Sequence, residues 1–358
     1  MPDVKQRYFD TTDFPPTVRT YTEIAKIVRE KGLLKRATKF YATVATILVL
    51  AFAGTTWAFF MIGHSWFQLI IGAVLGVLLT QVAFLAHEAA HRQILKGGPN
   101  NDRLATFLAA SIGMSYSWWD SKHSRHHANP NRIDKDPDIA VDVISFTEKD
   151  AKESTGVQRW ITARQGWLFF PLVTLEGVNL HFQSFRHLFS RGKIKTRTIE
   201  LSIIATRFLL YFGLVFAFLP LGMAFAFIGI QLIVFGVYMG ASFAPNHKGM
   251  PIIAPEAKLD FFSKQVRTSR NIAGGWWATI LMGGLNYQIE HHLFPSMARP
   301  YLSQAKQIVE QACRNQKIPY VETSLWKSYA IVIRYLNNVG LQARDPFECP
   351  IISRYRRS

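Results

Sequence analysis

The sequence predicts an all-α integral membrane protein, with four membrane-spanning helices in two hairpins and a cytoplasmic helical cap that carries clustered histidines. Three observations predict it. Apolar residues gather in blocks of about 20, the length a helix needs to cross the hydrocarbon core. The two tight connections between blocks lack Lys and Arg, whereas the outer flanks are strongly basic. Seven histidines fall into three clusters beside the apolar segments.

Residues 1–39 read as a polar, basic cytoplasmic arm, with a turn at Pro15-Pro16 and an amphipathic helix around Tyr21 to Leu34. The start of the chain shows no charged, apolar and cleavable signal pattern, so insertion is expected to rely on the first span. The membrane domain is expected over 40–301, with spans at about 41–61, 66–86, 203–219 and 223–243. Gly63-His64-Ser65 joins the first pair and Pro220-Leu221-Gly222 the second, which gives two hairpins. Lys35, Arg36, Lys39, Arg92, Lys96, Arg191, Lys193, Lys195 and Arg197 flank the spans, and this bias places both termini on the cytoplasmic side. Arg207, near the start of the third span, is expected to snorkel to the interface. Two broken apolar stretches, Leu104 to Trp119 and Trp167 to Leu180, are expected to lie in the interface. Residues 302–358 are expected to form a cytoplasmic C-terminal segment.

Charge and cysteine content narrow the function. Lys plus Arg number 41 against 24 Asp plus Glu, a net charge of +17 that four spans assign to an anionic bilayer face and not to nucleic acid. Cys313 and Cys349 are the only cysteines, so neither a disulfide framework nor a cysteine metal motif can be built.

The chemistry is in the histidines. His87 and His91 lie four residues apart at the end of the second span; His123, His126 and His127 follow at i, i+3 and i+4, expected on one helical face; Gln288, His291 and His292 make the third cluster. Three five-residue windows would hold roughly 0.5 histidine if they were placed at random by usage, and they hold seven of the 11. His247 closes the fourth span on the same side and is an eighth candidate. His181 and His187 are weaker candidates, and His64 belongs to the opposite side. Eight imidazoles with the Gln288 oxygen exceed what one ion can use and suit two. Imidazole alone does not choose between iron, zinc, copper and nickel. The neighbouring apolar spans suit an alkyl substrate, and oxidising an unactivated methylene calls for dioxygen and a redox metal, which favours iron.

His87-x-x-x-His91, His123-x-x-His126-His127 and Gln288-x-x-His291-His292 resemble the three histidine boxes of the membrane fatty acid desaturases. The third box, followed by Leu293-Phe294-Pro295, resembles the subgroup that holds the front-end desaturases and their bacterial relatives. The resemblance implies two Fe ions, O2 as co-substrate, and a cis double bond placed in an acyl chain carried by CoA or a lipid, at a bacterial plasma membrane. It also implies that His87, His91, His123, His126, His127, His247, His291 and His292 ligate iron, with Gln288 where other branches have His. Asn131, Asp136 and Asp138 are expected to accept second imidazole protons, Glu88 and Glu290 to tune the site, and Trp118 and Trp119 to shape an acyl tunnel. The sequence has neither a His-Pro-Gly-Gly haem motif nor a Gly-x-Gly-x-x-Gly fingerprint, so no bound haem or flavin is expected. Electrons are then expected from a separate donor such as ferredoxin, cytochrome b5 or a reductase, and basic residues including Arg92, Lys122, Arg125, Arg132, Arg186 and Arg191 are expected to receive either an acidic donor or the phosphates of a CoA thioester. Rival readings are a membrane hydroxylase or carotenoid-modifying oxygenase and, from another class, a metal transporter or zinc-bearing receptor. Transporters place ligands and acids near the bilayer midplane, and the spans here hold almost no acids.

Overall fold

The structure is a computed structural model and describes residues 18–344; the Pro15-Pro16 turn and Cys349 lie outside the described residues. Four helices are long and apolar enough to cross a membrane: α2 (Thr38–Ile62), α3 (Gln68–Ala90), α10 (Arg197–Phe218) and α11 (Leu221–His247). An amphipathic helix, α1 (Val18–Glu30), precedes them.

The four long helices are not equivalent. In the most apolar stretch of each, 11 % is buried in α2 and in α10, against 56 % in α3 and 33 % in α11. The inner pair is α3 with α11, and small residues permit it: a Cβ at Gly76 would stand 2.8 Å from the Gln231 carbonyl oxygen. Sequential neighbours are joined by short turns, but the core contact is between the second and fourth of the long helices.

All four extend past the apolar limits read from sequence, mostly at the histidine end. There α3 continues to Ala90 and α11 to His247, which places the candidate ligands His87 and His247 on helical backbone. Pro245 lies inside the last turn of α11 and has no N–H to give the carbonyl of Ala241. The Tyr329 hydroxyl supplies that donor at 2.8 Å, while the Pro245 carbonyl accepts from Ser328 Oγ at 2.8 Å and from the Arg270 guanidinium.

Between the second and third long helices run α4 (Gly98–Ser111), α5 (Tyr116–Ala128), α6 (Glu148–Glu153), α7 (Gly156–Thr162), α8 (Gln165–Val173) and α9 (Glu176–Leu188). The stretches expected to be interfacial thus become two helix pairs. α9 crosses α11 so closely that a Cβ on Gly236 would meet the Gly177 nitrogen at 2.5 Å. Ser115 caps α5, and the fully buried Glu200 of α10 accepts from Ser115 Oγ at 2.5 Å and Ser117 N at 3.2 Å. A carboxylate at a helix N-terminus satisfies orphan donors and complements the helix dipole.

After α11 come α12 (Phe261–Thr268), α13 (Gly275–Leu281), α14 (Gln288–Leu293), α15 (Leu302–Asn315) and α16 (Leu325–Gly340). Ile24 and Val28 of α1 pack with Phe262, Val266, Ile289, Leu293 and Val309 to make a second apolar core beside the histidine end of the bundle. α16 packs on α8 through Val332, Leu336 and Phe169. The chain is almost entirely helical, but strands β1 (Asn271–Ala273) and β2 (Glu322–Ser324) pair in parallel, which corrects the all-α expectation by one small ladder.

Candidate metal centre

The eight candidate histidines meet at one end of the bundle and divide into two groups. His87, His91, His123, His127 and His291 bring one ring nitrogen each to within 4.8 Å of one another, and His126, His247 and His292 do the same. Helix geometry makes the division. Consecutive residues on a helix point about 100° apart, so His291 and His292 of α14 diverge into different groups. On α5, His123 and His127 share a face while His126 turns away, which corrects the expectation of a single face for all three.

The ring nitrogens approach as ligands of one ion do. His123 Nε2 stands 3.1 Å from His87 Nε2 and 2.9 Å from His91 Nε2. In the second group His247 Nε2 stands 3.3 Å from His126 Nε2 and 3.1 Å from His292 Nε2. Two nitrogens each about 2.1 Å from an ion and at right angles around it lie about 3 Å apart. His127 Nδ1 and Nε2 and His291 Nε2 are buried with no hydrogen-bond partner among the described residues. Buried polar atoms are normally satisfied, so donors left open and converging fit a metal.

Electrostatics agree with neutral, ligating imidazole. Burial pushes His91 down to about 4. Burial, then the neighbouring imidazoles, hold His123, His127, His291 and His292 well below the ordinary histidine range. His126 goes the other way: burial lowers it, but the carboxylates of Asp138 and Asp136 outweigh burial.

The second group is held by acceptors for its other ring nitrogens. His126 Nδ1 donates to Asp136 at 3.0 Å, with Asp138 at 3.4 Å; His247 Nδ1 donates to the Thr268 carbonyl at 2.9 Å, and His292 Nδ1 to Gln265 Oε1 at 2.9 Å. Such bonds fix the tautomer and aim Nε2 at the metal. Asn131 accepts no imidazole proton. It braces Asp136 instead, through its backbone N–H at 2.7 Å, and its Nδ2 donates to the His247 carbonyl at 3.1 Å.

The first group is packed more than hydrogen-bonded. The Trp119 indole stacks on His123 with ring centres 4.3 Å apart. Behind His87, Glu88 pairs with Arg299, whose Nε donates to Oε1 at 2.8 Å and Nη2 to Oε2 at 2.5 Å. The Tyr41 hydroxyl donates to Gln93 Oε1 at 2.8 Å and lies 3.2 Å from Glu88 Oε1. This buried clamp ties the first and third histidine clusters together.

Gln288 enters the second group with Nε2 placed 2.9 Å from His247 Nε2, and its Oε1 accepts from Asn246 at 3.2 Å. Which amide atom faces the group follows from the hydrogen-bond network. Glu290 faces away, accepting from Asn271 at 2.7 Å and Tyr320 at 2.8 Å, and burial lifts it to about 7. His181 donates to the Gly113 carbonyl at 2.9 Å, His64 bonds the Phe218 carbonyl at the far end, and neither joins a group. His187 also joins none. Gln265, Thr268, Arg299 and Tyr41 carry no mark in the sequence, since each acts across a separation that spacing does not reveal.

A cavity of about 290 Å³ reaches both groups. His123, His126, His247 and Gln288 line it with Trp118, Trp119, Met239 and Phe243, and Lys122, Asp138, Glu176 and Lys248 supply its charged part. Lys122 and Asp138 pair at 3.0 Å.

The family model for fatty acid desaturases matches residues 64–324. Over 343 residues the chain is 28 % identical to the delta(8)-fatty-acid desaturase of Helianthus annuus, covering 91 % of this chain and 74 % of that protein. It is 28 % identical over 327 residues to an acyl-lipid (9-3)-desaturase of Borago officinalis, with 87 % and 72 % covered. A delta(6)-fatty-acid desaturase of Caenorhabditis elegans is 25 % identical over 339 residues, with 90 % and 75 % covered. On the match over most of its length, this chain belongs to the fatty acid desaturase family.

Proposed function

We propose that the chain is a multi-pass di-iron desaturase that inserts a cis double bond into an acyl chain carried by a lipid or by CoA. The observation that carries the reading is the single cavity lined by histidines of both groups. His87, His91, His123, His127 and His291 would hold one iron; His126, His247 and His292 would hold the other, with Gln288 beside them. The two irons supply the activation of O2 that removing two hydrogens from adjacent methylenes requires, with two electrons from a separate donor such as ferredoxin, cytochrome b5 or a reductase.

The rest is done by the chain itself. Trp118, Trp119, Met239 and Phe243 exclude water and hold an alkyl segment against the histidines. Lys122 and Lys248 offer cations for the polar end of the substrate, and Asp138 sets their positions through the Lys122 pair and a bond from Lys248 Nζ to its carbonyl at 2.7 Å. Asp136 keeps the His126 proton on Nδ1, leaving Nε2 free to bind metal. The basic flanks support a cytoplasmic position for the histidine end and both termini.

The test is expression in a host fed defined saturated acyl chains, with mass spectrometry to locate any new double bond and metal analysis of the purified protein. Two irons per chain and an unsaturated product that His126→Ala and His291→Ala abolish are expected. A hydroxylated product, or one zinc and no iron, would refute the proposal.

A further inference from the structure

Away from the histidines, a second and larger cavity of about 390 Å³ lies between α9, α10 and α11. Its walls are apolar except for Arg207, Gln231, His181 and the Tyr211 hydroxyl. Arg207 is half-buried in this cavity. Its guanidinium packs on the rings of Phe208 and Tyr211, with centroids 4.9 and 4.4 Å away, and among the described residues it has no acidic partner. Gln231 is 1 % exposed; its Oε1 accepts from the Tyr211 hydroxyl at 3.2 Å, and its Nε2 has no acceptor.

Arginine stays charged under all physiological conditions. An unpaired cation among apolar side chains of a spanning helix is costly, and such residues normally find a counter-charge. Here the described residues do not provide one. Around a spanning helix, the anions at hand are lipid phosphates. A bare ion does not fill a space of this size with apolar walls, whereas an amphiphile does. The cavity opens sideways where Val178 and Phe212 are 52 % and 37 % exposed, the direction from which a lipid would come.

We propose that this cavity is a binding site for one anionic phospholipid, with its phosphate on Arg207 and the Gln231 amide as second donor. Its acyl chains lie along the exposed face of α10, where Leu209 and Leu210 are 75 % and 70 % exposed. The lipid is distinct from substrate, since this cavity shares no lining residue with the one that reaches the histidines. By bridging α10 to α11 beneath α9 it braces the helices that carry His247 and the Glu200 cap. The inference rests on the reading of α10 and α11 as membrane-spanning.

The full chain, wild type and Arg207→Met, would be placed in nanodiscs of phosphatidylcholine with or without phosphatidylglycerol. Native mass spectrometry would count retained lipids, and thermal unfolding would be followed in each composition. Wild type is expected to retain one phosphatidylglycerol and to unfold at a higher temperature when it is present. Arg207→Met is expected to bind it about tenfold or more weakly, to lose the shift, and to keep its metal content. Should Arg207→Met not fold, the wild type decides alone through its preference between the two lipids, with Gln231→Leu as the weaker-binding companion. Equal retention of both lipids by wild type, or retention of a free fatty acid in place of phospholipid, overturns the site. Release of the protein from membranes by alkaline wash would instead refute the spanning reading.

Discussion

The two histidine groups are built on different principles. In the second, His126, His247 and His292 each donate Nδ1 to an acceptor, and all three rings are buried. In the first, none of the five rings has such a bond among the described residues, three are only half-buried, and position comes from Trp119 stacking and the Glu88–Arg299 clamp. A hydrogen bond fixes one ring's tautomer and direction; packing fixes only where the ring can be. The second position is therefore the preorganised one, and the first depends on its neighbours and on the metal itself.

The largest effects come from the ligands. His292→Ala is expected to abolish product and lower iron from two per chain toward one, and His91→Ala to abolish product as well. Iron counted after dialysis separates them, because the half-buried first position should exchange its metal sooner. Next is the clamp: Arg299→Met leaves the buried Glu88 carboxylate unpaired, a loss of about 3–5 kcal/mol. Denaturation should show it, and pairing that change with Glu88→Leu should recover much of the loss.

A smaller, local effect is expected of Asp136→Asn, which removes the carboxylate from His126. Metal affinity at the second position should fall about 10- to 100-fold while the first position is unchanged, and metal titration followed by spectroscopy would read both. Equal losses at both positions would end the distinction.

The smallest effect is in proton release and pH dependence. His126 is held above the ordinary histidine value, so at neutral pH metal uptake at the second position should release a proton, and calorimetry in buffers of different ionisation enthalpy would detect it. At the first position His91 is lowered to about 4 by burial, so uptake there should release little. The sign for stability follows. A depressed folded value means the unfolded chain takes up protons first, so the metal-free protein should lose stability as pH falls from about 6.5 toward about 4. His126 contributes oppositely: its share is present below about 6.5 and is lost as pH rises through its folded value.

What was legible in the sequence follows from range. His87 with His91, and the cluster at His123, depend on spacing within one helical turn, and apolar length marked the four long helices. His247 could be found because charge asymmetry put the end of its helix beside the others. The division into groups was within reach of the same geometry, since adjacent residues on a helix diverge, yet treating i, i+3 and i+4 as one face hid it. Supports such as Gln265 for His292, or Arg299 for Glu88, are tertiary pairings with no local period. The β1–β2 ladder was invisible too, at three residues a strand.

The proline near the end of α11 ties His247 to distant parts of the chain. Its missing N–H leaves the final turn to donors from Tyr329 and Ser328 of α16, 88 and 83 residues from the carbonyls they bond, and from Arg270. Local helix formation therefore does not complete that turn by itself; the position of His247 is set only when the fold has brought α16 against it.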